Sequence, residues 1–213
     1  MTRPHDPADG QGCLVRFLIP ILLAAASAWG FEGLPALHAP ITLVVQYETS
    51  PSPAALTEMQ KELNTLLQKA NRRVELKRRE EMEGSDAADL VLVKFRGNCR
   101  METAPIFLDE RGPLAFTHTM DGEVLPFSEV LCDKVRVAAR SAMHGGQMAE
   151  GDRLMGRAMA RVLAHELYHI AANTGKHGKE GVAKRSRSGA QLIADRLDFD
   201  DHEALFLRGK SAR

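Results

Sequence analysis

Residues 155–173 read MGRAMARVLAHELYHIAAN, and their periodicity decides how the rest of the chain must be arranged. Leu154, Ala158, Val162, Leu163, Leu167 and Ile170 recur three or four apart, the spacing of an amphipathic α-helix. Asp152 offers a cap at its start, and Gly175 a left-handed residue just past its last turn. In the second half, Val162, Leu163, Leu167, Tyr168, Ile170 and Ala171 are all uncharged, so this helix is expected to be buried on most sides. Into that apolar surface the sequence sets His165, Glu166 and His169. Such groups are costly to bury without partners.

A metal ion resolves that cost. Histidines four apart lie on one helical face, one turn above each other, so both imidazoles can reach one tetrahedral Zn²⁺. A glutamate directly after the first histidine points to where a water on the metal would sit, and can act as its general base. His165 and His169 are therefore expected ligands, and Glu166 the catalytic base. A catalytic zinc usually takes three protein ligands. His177, just past the expected helix end, is the first candidate for the third, with Glu180 and Asp195 as alternatives. Asp195 could instead orient a ligand imidazole. His118, His144 and His202 have no comparable spacing and are expected at the surface, and Tyr168 is expected to pack the helix.

Upstream of this helix, residues 41–47 (ITLVVQY) read as a buried strand that Ser50–Pro53 breaks. Leu56, Met59, Leu63, Leu66 and Leu67 predict an amphipathic helix over 54–70. Strands are predicted over 72–77 and 88–95, a further one at a sheet edge over 114–118, and another over 127–132 leading into a weak helix that reaches Met143. Downstream, a basic loop over 176–187 precedes a last helix opened by Ser188 and Gln191 and running through Leu197. This order predicts a small α/β (α+β) domain over 41–208, a mixed twisted sheet packed on helices with the long helix beneath it. Residues 29–40, rich in glycine and proline, read as a linker, and 209–213 as a disordered tail.

The first 28 residues have the layout of a secretory signal peptide. An apolar run within residues 14–29 (LVRFLIPILLAAASAW) follows Arg3 and Arg16 and closes on Ala26-Ser27-Ala28, a small-x-small cleavage pattern. The run is short for a bilayer span, so a cleaved leader and a secreted or periplasmic product are expected, with a retained anchor as the alternative. Cleavage after Ala28 leaves Cys99 and Cys132, an even pair that suggests one disulfide rather than a metal site, since no C-x-x-C spacing is present.

The VLAHELYHI run resembles the zincin peptidases and, among them, the metzincins. Their His-Glu-x-x-His-x-x-Gly-x-x-His pattern departs here: Ala172 stands at the glycine position, Gly175 and His177 arrive later, and no methionine follows Met159 to make the Met-turn. The resemblance implies peptide-bond hydrolysis with one zinc per chain, and residues 178–183 in place of the missing turn.

Composition narrows the partners. With 28 basic and 28 acidic residues the chain has no net charge to hold nucleic acid or an anionic membrane, and 5% aromatic residues argue against a stacking platform. A monomer acting on a peptide or protein substrate is expected, with no membrane contact once the leader is removed. The alternative is an exported zinc-binding interaction domain that keeps the scaffold without turnover. The retained Glu166 disfavours it, because a structural zinc needs no base and usually closes four protein ligands.

Overall fold

The computed structural model describes residues 40–82, 87, 89–101 and 112–208. The expected leader, nearly all of the linker and the tail lie outside the described residues. Among the described residues, no helix is long and apolar enough to cross a membrane.

Among the described residues, five strands form one mixed sheet in the order β2-β1-β3-β5-β4. Strands β1 (Ile41–Thr49), β2 (Val74–Arg78), β3 (Leu90–Asn98) and β5 (Glu123–Leu131) pair in parallel, and β4 (Ala115–Met120) runs antiparallel to β5 at the edge. The α/β reading and the edge position of the 114–118 strand are borne out. Asp121 and Gly122 both take positive φ, 52° and 85°, in the two-residue turn that joins Met120 to Glu123. Asp-Gly supplies that conformation at little cost.

Alternation along the strands explains where the helices lie. Leu43, Val45, Val91, Val93 and Phe95 turn to one face and join the core, whereas Leu92 between them is 46% exposed. Against the apolar face pack α1 (Pro53–Leu67), α2 (Cys132–Ser141) and α3 (Gly151–Ala172), followed by two short helices, α4 (Gly189–Ile193) and α5 (Asp201–Leu207). Ser52 caps α1 by accepting from the Ala55 amide, and Pro53 fills its first position, where no backbone donor is needed.

The 22-residue α3 is the spine, buried from Leu154 through His169. It meets α1 at Gly156, where a Cβ would lie 2.2 Å from the Ala55 carbonyl oxygen; only glycine allows that approach. Ion pairs fasten the same two helices: Arg157 to Glu58 at 3.1 Å and Arg161 to Glu62 at 2.7 Å. Cys99, just after β3, and Cys132, at the start of α2, form the expected disulfide, with Cα atoms 4.8 Å apart.

Three local expectations need correction. Asp152 does not cap α3; it lies in the first turn and accepts from the Met101 amide, 2.9 Å away, so its carboxylate ties a distant loop to the helix. Gly175 does not end the helix either. Asn173 takes the left-handed conformation, φ 45°, and its side chain accepts from the Val124 amide, so the β4–β5 hairpin fixes the stop two residues earlier. The helix opened by the Ser188–Gln191 capping box stops at Ile193 instead of running through Leu197. A separate helix, α5, begins at an Asp200–Glu203 capping box that the periodicity did not reveal.

Candidate metal centre

The last two turns of α3 carry three polar side chains into the base of a cleft of about 730 Å³. His165 and His169 project from one face, and their Nε2 atoms come within 3.1 Å of each other. Two nitrogens on one tetrahedral zinc stand about 3.3 Å apart at ordinary Zn–N lengths, so this pair is already at ligand spacing. After the helix stops at Asn173 the chain doubles back and brings His177 over both rings, with centroids 5.2 Å from His165 and 4.8 Å from His169. One ring nitrogen from each of the three histidines lies within 4.8 Å of the others, a group able to hold a metal ion.

Backbone carbonyls fix the rings from behind. The Val182 carbonyl oxygen lies 2.9 Å from His165 Nδ1, and the Thr174 carbonyl oxygen 2.7 Å from His169 Nδ1. A carbonyl only accepts, so His169 Nδ1 carries the proton and its Nε2 presents its lone pair to the cluster; His165 Nδ1 faces both the Val182 oxygen and, at 3.0 Å, the donor Nη1 of Arg187. Two close approaches shape the turn that supplies these groups: a Cβ on Gly178 would meet the Glu203 carboxylate at 1.8 Å, and one on Gly181 the Asp198 carbonyl at 2.3 Å. Gly181 also takes φ 63°. Val182 and Ala183 are fully buried under the histidines.

Burial sets the protonation states. It holds the His165 imidazole down to about 3, with the Arg187 guanidinium as second cause. His169 and His177 are lowered too, burial again first. All three therefore stay neutral at neutral pH, the state in which an imidazole can bind a metal. Burial raises Glu166, and the hydrogen bond donated by the Thr117 hydroxyl to its Oε2, 2.7 Å, partly offsets the rise. Thr117 lies on β4 opposite Ser128 of β5, whose hydroxyl is 2.8 Å from its own.

No family model, curated protein or solved structure matches this chain. Its site is thus known by its own geometry. That geometry brings together His165, Glu166, His169 and His177. It leaves out Glu180, which is exposed, and Asp195, which is engaged with Arg157 at 3.1 Å. His144 and His202 are exposed as expected, while His118 is half-buried, stacked on Phe127 and bonded to Glu129 at 3.1 Å. Tyr168 packs against Phe199 and Phe206.

Sequence reasoning missed Thr117, the two carbonyls and Arg187. Thr117 sits in a strand of ordinary composition, and carbonyl acceptors leave no trace in residue identity. Arg187 was submerged in a run of basic loop residues.

Proposed function

We propose that this protein is an exported zinc-dependent metallopeptidase. The observation that carries the proposal is the convergence of three neutral imidazoles beside a buried carboxylate at the base of an open cleft. The donor set fits zinc: three nitrogen ligands, with carbonyl oxygens holding the rings, leave room for the further position that a catalytic zinc keeps open. Zinc held by these residues would polarise a carbonyl and acidify water, the chemistry peptide hydrolysis needs.

The protein's own groups do the rest. Glu166 takes the proton of the attacking water and delivers it to the leaving amine; its raised proton affinity brings it nearer the value useful for both transfers. Thr117 holds Oε2 and so keeps the other carboxylate oxygen for proton transfer. Strand β4 walls the cleft and has a strand partner on one side only among the described residues. An extended peptide can add main-chain hydrogen bonds along such an edge. The Cys99–Cys132 disulfide favours an oxidising compartment, in keeping with the leader-like N-terminus.

The test is metal content and turnover in one set of proteins. About one zinc per chain, lost or much weakened in His177→Ala and retained in Glu166→Ala, with peptide hydrolysis lost in both, is the expected outcome. A Glu166→Ala protein that hydrolyses peptides at the unsubstituted rate would overturn the mechanism. Absence of zinc after reconstitution would overturn the enzyme.

A further inference from the structure

Half-buried Arg187 can be compared with the four arginines that are buried among the described residues. Arg72, Arg136, Arg157 and Arg161 each face a carboxylate: Asp89, Asp133, Glu58 and Glu62. Arg187 faces none within ion-pair distance among the described residues. Its Nη1 is fixed instead on the Val182 and Lys184 carbonyl oxygens, the latter at 2.8 Å, and lies 3.0 Å from His165 Nδ1. Its Nε is buried without a partner, a feature it shares with Arg72 Nε, Arg136 Nε and Arg161 Nη2, so the missing carboxylate is what sets it apart.

Arg187 also lines the cleft, as does Arg185. Among the described residues lining the cleft, Glu166 is the single carboxylate, and in the peptidase reading it is the base. A formally neutral chain has thus gathered positive charge around its site. An arginine held rigidly by two carbonyls is a preorganised receptor for a carboxylate, with less entropy to lose than a free side chain.

We propose that the cleft selects substrates carrying a carboxylate close to the scissile bond, with Arg187 as the specificity-determining cation and Arg185 reinforcing it. The inference rests on the cleft being the substrate site. An acidic side chain and a free C-terminus present the same group, so the experiment separates them.

The probes are fluorescent peptides of about six residues, blocked at both ends: one carries a central Asp, its counterpart an Asn. A third has the Asn sequence with a free C-terminal carboxylate. Binding is measured by anisotropy on full-length, zinc-loaded Glu166→Gln protein, which holds peptides without cutting them. The Asp or the free-acid peptide is expected to bind at least about tenfold more tightly than the blocked Asn peptide, as a charge-assisted hydrogen bond predicts. Whichever of the two gains identifies the source of the carboxylate. Adding Arg187→Gln should cut the preference below about threefold, Arg187→Lys should restore part of it, and Arg185→Gln should weaken it less.

Equal affinities for all three peptides with Arg187 intact would overturn the proposal, whatever the variants do. A preference that survives in folded, zinc-loaded Arg187→Gln would also overturn it. Hydrolysis of neutral peptides by the unsubstituted protein would leave the peptidase reading standing in either case. Selective binding with no hydrolysis would sustain the Arg187 receptor and sink the peptidase.

Discussion

The two halves of α3 bury polar groups in opposite ways. In the first half Arg157 and Arg161 are matched: Glu58 and Asp195 meet the first, Glu62 and the Gln191 carbonyl the second. In the second half His165, Glu166 and His169 form no ion pair with one another, and the two histidines turn their Nε2 atoms together, 3.1 Å apart. A buried cation matched by a carboxylate is a fastener, joining α3 to α1 and to the segment after α4. A buried group with no opposite charge bonded to it, held in place from behind by a carbonyl or a hydroxyl, is poised for a partner from outside. The same helix therefore serves as a beam at one end and as the floor of a site at the other.

The sharpest way to break this contrast is to remove Glu166. If the second half serves chemistry, Glu166→Ala should lower kcat by about 10⁴-fold, near the top of the range for a general base, at unchanged zinc content. Its melting temperature should stay level or rise, since a desolvated carboxylate has been removed. A large drop in melting temperature with activity retained would make this half structural as well.

The reverse pattern is expected at the other end. Arg161→Ala strands the largely buried Glu62 carboxylate and opens a hole in a fully buried position, costing about 3–5 kcal/mol of stability. Measured by urea unfolding, this loss should appear with or without zinc. The protein that remains folded should keep its turnover per bound zinc. Loss of activity per zinc in folded Arg161→Ala would show that the two halves are not separable.

Acid sharpens the comparison further. An unfolded chain returns His165 to its ordinary value of 6.5, whereas the folded chain holds it at about 3. Between those values the unfolded state takes up a proton that the folded state refuses. The stability due to a neutral His165 is thus complete above about pH 6.5 and lost as pH falls towards 3. His169 and His177 are lowered in the same direction. Metal-free protein should accordingly melt several degrees lower at pH 5 than at pH 7, and His165→Asn should flatten that dependence. A profile equally steep in the variant would place the acid sensitivity elsewhere.

The beam and the three histidines were legible in the sequence because both are written in spacing. Apolar residues three and four apart predicted α1 and α3, His165 and His169 stood one turn apart, and His177 followed the helix stop. The sheet edge at β4 was also readable. Helix ends were not, because tertiary contacts chose them: Asn173 ends α3 where the β4–β5 hairpin reaches it, and Asp152 is drawn away to the Met101 amide. Helix α5 could have been found from Asp200 and Glu203, whose spacing is a capping signature. The groups that orient the site were hidden for a deeper reason. Val182 and Thr174 act through carbonyls that every residue possesses, and Thr117 acts across the sheet, 49 residues from Glu166.

Thr117 gives the finest test of whether groups behind the site matter to it. Valine has nearly the same shape, so Thr117→Val deletes the hydroxyl that donates to Glu166 Oε2 with little change in packing, while Ser128 loses a 2.8 Å partner. One hydrogen bond to a charged group corresponds to about 1.5 kcal/mol, so kcat/KM should fall roughly tenfold with zinc unchanged. The pH profile carries the more telling signal. The Thr117 hydrogen bond holds Glu166 below where burial alone would place it. Without it Glu166 keeps its proton to higher pH, and the acid limb of kcat/KM should move upward. A tenfold loss with an unmoved limb would mean that Thr117 only shapes the cleft wall. A moved limb would show that a side chain on the sheet edge tunes the base on the helix.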